Sequence, residues 1–231
     1  MTMLVWSILE FPHSYGDLLS EAKELIAHGI EYLFNCAPDS SSLYVVVGNQ
    51  TAEDEFWGRP SDFSGSRPVE QINPRRPGSD IAAEVAAALA AGSLLYNEEP
   101  SMQEIIQDKA KGLLQFAEST GAIGHESVPA AGKYKSSDYF DELAWANMWL
   151  FKATNSTSFY ENAKGLYEEN EYLRENPKIF NINTKVAGVQ LLLALQESED
   201  ENKGIIRTNR SDVNNVTYCM VHTHRNSLIL E

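Results

Sequence analysis

Apolar residues recur at helical spacing over most of this chain, and the recurrences predict its elements. Residues 2–11 read as a helix that Pro12 ends, since proline cannot donate the N–H a helix interior needs. In residues 17–35, Leu18, Leu19, Ala22, Leu25, Ile26, Ile30 and Leu33 fall near one face. Residues 101–119 place Met102, Ile105, Ile106, Ala110, Leu113, Leu114 and Ala117 on a buried side. Residues 139–154, 158–173 and 184–195 give three more helices. The remaining one is an alanine-dense helix in the stretch NPRRPGSDIAAEVAAALAAGS, residues 73–93. Pro77-Gly78 marks the turn before it, and Ser79 or Asp80 is placed to cap its first free N–H groups. Alanine is the best helix former, and small side chains let neighbouring helices approach, so Ala82 to Ala91 reads as a buried central helix. Gly92 is its one weak helix former.

One stretch breaks the helical period: LYVVV, residues 43–47, reads as a short strand. Residues 48–79 then form a loop carrying Phe56, Trp57, Arg59, Pro60, Arg67 and Pro68. Loops of that length are functional or disordered, and the aromatics with fixed turns argue for an ordered surface loop. Seven helices and one strand define an all-α chain of successive helical hairpins. After Leu195 the character changes. ESEDENKG is a charged, solvated run, and residues 205–231 show no stable period, so residues 196–231 are expected to form a divergent, irregular tail. His222 and His224 would share a strand face near Cys219, but no further ligand stands in a metal-binding pattern.

Charge narrows the partners. The net charge of −15 excludes a nucleic-acid footprint and disfavours anionic membrane surfaces, while 10% aromatic content suits stacking on a neutral partner. Two cysteines, Cys36 and Cys219, make no disulfide framework. Sequons at Asn49, Asn155, Asn209 and Asn215 permit secretion. No segment reads as long and apolar enough to span a membrane, and the N-terminus lacks the basic region and small-residue cleavage site of a signal peptide. A chain that begins in mid-helix implies a missing upstream part.

Residue chemistry alone gives no complete catalytic set. Asp141 and Glu142 are adjacent, so on a helix they point about 100° apart. Asp80 and Glu84 share a face at i, i+4, which a cap plus a polar contact explains. No GxGxxG, P-loop or HExxH motif is present.

Five blocks, in order, carry a resemblance: TMLVWSILEF, LYVVVGNQTAEDEFWGRPSD, NPRRPGSDIAAEVAAALAAGS, DYFDELAWANMWLFKAT and KVAGVQLLLAL. Together they resemble the catalytic domain of family 9 glycoside hydrolases, the endoglucanase (cellulase) family, over residues 2–195. The resemblance implies a partial (α/α)6 barrel of helical hairpins with a substrate cleft across one end. It implies inverting hydrolysis of β-1,4-glucans, with an Asp in a DAGD-type loop as base and a Glu near the domain's end as acid. Neither motif is in this sequence, so the catalytic residues are expected outside this chain and the chain is expected to be inactive alone. A non-catalytic carbohydrate-binding or structural remnant of the fold is the alternative.

By the same resemblance Trp57 matches a cleft-side tryptophan and is expected to stack on sugar, although loop packing would also explain it. Asp54 stands where the family usually has His. Tyr139 matches a tyrosine that could contact glucan, or equally serve the core or helix entry. Ser137, Asp138, Asp141 and Glu142 match a loop where some relatives bind calcium; as residues alone they read as a solvated first helical turn, favoured by the helix dipole. Relatives often carry an aromatic between the positions of Ser136 and Ser137, and an aromatic-Asp pair where this chain has Ile182-Asn183. No cofactor is required beyond that structural calcium. The partner implied is a β-glucan, with no nucleic acid and no membrane, and the implied location is extracellular.

Overall fold

The computed structural model describes residues 1–131, 135–177 and 179–202. Expectations for residues 203–231, Cys219, His222 and His224 among them, lie outside the described residues. Among the described residues the chain forms α1 (Thr2–Glu10), α2 (Leu19–Cys36), β1 (Leu43–Val47), α3 (Gln50–Glu55), β2 (Val69–Ile72), α4 (Ser79–Ser93), α5 (Pro100–Thr120), α6 (Gly124–Ser127), α7 (Phe140–Thr154), α8 (Thr157–Glu169), α9 (Glu171–Arg174) and α10 (Val186–Asn202).

Helices α1/α2, α4/α5 and α7/α8 are sequential pairs, and α4 makes its most extensive contacts with α5 and α7. Their directions follow from named bonds. Ser79 Oγ at the start of α4 donates to Ala117 O near the end of α5 at 2.7 Å, so these two run antiparallel. Lys185, just before α10, reaches Glu84 in the second turn of α4 and Glu142 in the first turn of α7. Helices α4, α7 and α10 therefore begin at one end of the molecule. The ring of Trp6 on α1 packs 5.7 Å from Trp145 and 5.6 Å from Trp149 of α7, with Phe180 closing the group at 5.6 Å from Trp145.

Helix α4 is central, as its composition predicts. Ala82, Ala83, Ala86, Ala87, Ala90 and Ala91 are wholly buried. Gly92 is required by its neighbour: a Cβ there would lie 2.4 Å from Ile30 Cδ1, and Ile30 on α2 is itself buried. Gly92→Ala should therefore destabilise the fold by about 1–3 kcal/mol, the usual cost of overpacking, despite alanine's better helix propensity. A chemical-denaturation midpoint at or above that of the parent chain would contradict this.

Several expectations are corrected. Ser79 and Asp80 do not cap α4. Ser79 is its first helical residue and also accepts from Ala122 N at 3.2 Å, while Asp80 Oδ1 accepts from Gly124 N at 2.7 Å. Both side chains tie the start of α4 to the end of α5 and the turn beyond it. The single strand has a partner: β2 pairs antiparallel with β1, Leu43 opposite Ile72 and Val47 opposite Val69, with a bulge between Tyr44 and Val46. The helix expected over residues 158–173 breaks at Asn170, whose amide turns back to Leu166 O at 2.8 Å. On α5 the buried stripe starts later than predicted, at Ile106, with Met102 and Ile105 exposed. The charged run after Leu195 continues α10 as far as Asn202. Ser79–Tyr96, finally, is long and apolar enough by composition to cross a membrane, with mean hydropathy 1.2, but 67% of it is buried inside this fold.

The outer side of the first hairpin stays apolar. Met3, Leu4 and Phe11 of the α1 region are exposed, as are Leu18, just before α2, and Leu25 and Tyr32 on it, spaced by seven.

Candidate functional site

The Trp57 loop is built from short local contacts. Asn49 Oδ1 accepts from Ala52 N at 3.3 Å and caps α3. Gly48 N donates to Pro68 O at 2.8 Å, which closes the base of the loop beside the β1–β2 ribbon. The rings of Phe56 and Phe63 meet edge to face at 5.3 Å, and the Arg67 guanidinium lies 5.4 Å over Phe63. Trp57 takes no part in this packing and is fully exposed, at 101%. An exposed indole on an ordered loop presents an apolar face to solvent, so loop packing does not account for it.

Tyr139 stands at the entry of α7. Its ring lies 4.7 Å from that of Phe140, and it is half-buried against the core. A Cβ on Gly121 would come within 3.2 Å of its hydroxyl. Tyr139 therefore packs at the entry of α7, against Phe140 and the core.

The four residues matched to a calcium site do not form one. Ser137 is exposed. Asp138 uses Oδ1 to accept from Tyr139 N at 2.6 Å and Phe140 N at 2.7 Å, closing the first turn of α7. Asp141 and Glu142 are not the solvated turn expected; they point inward and are buried. No group of three or more His, Cys, Asp or Glu side chains among the described residues is arranged to hold a metal. The donors present do not fit calcium, because the oxygens are divided between a backbone cap and a buried ionic cluster.

That cluster lies where α4, α7 and α10 begin. Asp141 Oδ2 accepts from Lys185 N at 2.6 Å. Lys185 Nζ donates to Ile182 O at 2.9 Å and lies 3.6 Å from both Glu84 Oε2 and Glu142 Oε1. Glu84 keeps its side chain 39% exposed, whereas those of Lys185 and Glu142 are at 5% and 3%. Burial, then the adjacent Asp141 carboxylate, pushes the Glu142 carboxyl up to about 10. Burial also raises that of Glu84, with Lys185 pulling it back. Glu142 is therefore protonated at neutral pH. This removes one negative charge from a site with three carboxyl groups and one ammonium. Asp80 and Glu84, which share a helix face in sequence, serve separate neighbours.

Sequence reasoning missed Lys185. A signal was there: a cation at the start of an apolar helix opposes the helix dipole, which calls for a nearby anion. The turn before it carries the other departure, with Ile182 exposed and Asn181 bridged to Thr184.

Sequential helical hairpins around a central helix, with α4 and α7 starting at one end, define an α/α-barrel protein. The profile of glycosyl hydrolase family 9 matches residues 1–229, and the chain belongs to that family. The match extends beyond the five sequence blocks and includes the segment after Leu195. Among relatives, Endoglucanase 18 of Oryza sativa subsp. japonica is 35% identical over 197 residues, covering 84% of this chain and 38% of that protein. The endoglucanase structure from the termite Nasutitermes takasagoensis superposes with a TM-score of 0.83 at 32% identity, over 93% of this chain and 48% of the termite chain. The cellulase Cel9M of C. cellulolyticum in complex with cellobiose gives 0.75 at 26%, over 89% and 48%. The chain thus spans less than half the length of each, and its fold is part of an (α/α)6 barrel.

Proposed function

We propose that this chain is part of an endoglucanase-type glycoside hydrolase that cleaves β-1,4-glucosidic bonds with inversion and acts outside the cell. Family membership over residues 1–229 carries the reading. Inversion takes two carboxyl groups flanking the bond, about 6.5–9.5 Å apart, with room for water. Asp141 and Glu142 are closed from solvent and cannot reach a glucan, so they are not that pair. Within the described residues the chain supplies hairpin scaffold and a glucan contact at Trp57. Full exposure of the indole supports that contact.

A β-glucan gel and a reducing-sugar assay test this together. The purified chain should be retarded by soluble β-glucan and release no reducing sugar. Trp57→Ala should lose the retardation while stability stays within about 0.5 kcal/mol, as for a surface change. Turnover that disappears in Asp141→Ala would overturn the placement of the acid and base. Absence of retardation in the parent chain would remove Trp57 from the binding surface.

A further inference from the structure

We propose that Asn155 is an acceptor site for N-linked glycosylation, an inference that rests on the extracellular reading above. Two of the four sequons fall on described residues, and the structure separates them. At Asn49-Gln50-Thr51 the asparagine is engaged: its Oδ1 accepts from Ala52 N and holds the first turn of α3. At Asn155-Ser156-Thr157 the asparagine ends α7 and the threonine opens α8. Asn155 and Thr157 are both exposed.

The backbone explains why the amide is available. Asn155 adopts the left-handed conformation, φ 56°, and its N–H donates to Phe151 O at 2.8 Å. Asparagine tolerates that conformation better than other non-glycine residues. The residue therefore serves as the C-terminal cap of α7 through its main chain alone. Its side chain makes no hydrogen bond among the described residues. A two-residue turn between helices holds the acceptor amide and the sequon hydroxyl at the surface.

The position is remote from the buried ionic cluster. Asn155 closes the end of α7 opposite Tyr139, Asp141 and Glu142. Fifteen residues at 1.5 Å each separate the two ends by about 22 Å. A bulky, solubilising oligosaccharide at Asn155 leaves the shared starting end of α4, α7 and α10 uncovered. In the transfer, Asn155 Nδ2 bonds to C1 of the first sugar of a lipid-pyrophosphate-linked oligosaccharide. The C1–O bond breaks, its electron pair leaves with the lipid pyrophosphate, and the amide gives up one proton.

The test is secretion of the full 231-residue chain behind a cleavable leader from a eukaryotic host, read by intact mass before and after peptide N-glycosidase. We expect Asn155→Gln and Thr157→Ala each to lose one glycan mass relative to the parent. Thr157→Ser should keep it, and Asn49→Gln should leave the Asn155 glycopeptide in place. Thr157→Ala retains the Asn155 cap, so it answers the question even if Asn155→Gln folds poorly. A secreted parent chain with no glycan on the Asn155 peptide overturns the proposal. Glycan on the leader-directed chain with none on the chain from its native source supports the site and overturns the extracellular reading instead.

Discussion

Lys185→Met is expected to lower the unfolding free energy by about 3 kcal/mol, the low end of the range for breaking a buried ion pair. The ammonium is nearly closed from solvent and is the cation between Glu84 and Glu142. Methionine keeps most of the volume, so packing against the start of α10 is retained and the loss reports charge. With Glu142 already protonated, the contact partner left without its counter-charge is Glu84, while the Asp141 carboxylate keeps its bond from the backbone N of residue 185. Its Oε2 is closed from solvent while the side chain as a whole is 39% exposed, so relief by water is only partial and the effect sits at the low end. The turn also loses the bond from Lys185 Nζ to Ile182 O. Urea unfolding at pH 7 measures the change. Adding Glu84→Gln to Lys185→Met should return most of it, since a neutral amide needs no counter-ion. A single-variant loss below about 1 kcal/mol, or a double variant no better than the single, would show that apolar contacts alone dock α10.

The second large effect is a fall in stability with rising pH. The folded chain holds the Glu142 proton up to about pH 10, whereas the usual value for an unfolded glutamate is 4.5. Between those limits the folded state binds more protons than the unfolded one, so each pH unit costs stability. The contribution is complete below the unfolded value and is lost as pH rises through the folded one. Its slope is on the order of 1 kcal/mol per pH unit for one such group. Glu84, raised in the same direction, adds to it. Unfolding free energy at pH 5.5 should therefore exceed that at pH 8, and Glu142→Gln should flatten the profile while raising stability at pH 8. Equal pH slopes in the parent and the glutamine variant would exclude Glu142 as the titrating group.

Local signals made the helices legible. α2, α4 and α7 each carry a long apolar pattern and a proline, glycine or asparagine near an end. β2 was hidden because Val69-Glu70-Gln71-Ile72 is four residues in a polar loop, and its pairing partner lies outside any local window. Of the candidate site, Trp57 was legible as an aromatic on a loop, and its exposure agrees with a surface role. The ionic cluster was not. It joins residues 84, 141, 142 and 185, which only the common starting end of three helices brings together. The direction of a helical turn decided the calcium set as well. Asp138 lies just outside α7 and faces its free N–H groups, while Asp141 and Glu142 are rotated into the core.

The alanine surface of α4 constrains change in one direction. A core of leucines can lose methylenes and leave cavities of graded size, so its damage is graded too. An alanine has one methyl to lose, and beyond it only glycine remains. Every other substitution at Ala82, Ala83, Ala86 or Ala87 adds atoms at a wholly buried position of a helix packed on α5, α7 and the first hairpin. The spacing of those helices is thus fixed by the smallest side chain that still favours a helix. A shift in that spacing would move the starting ends of α7 and α10, and with them the buried ionic cluster that joins those ends to α4.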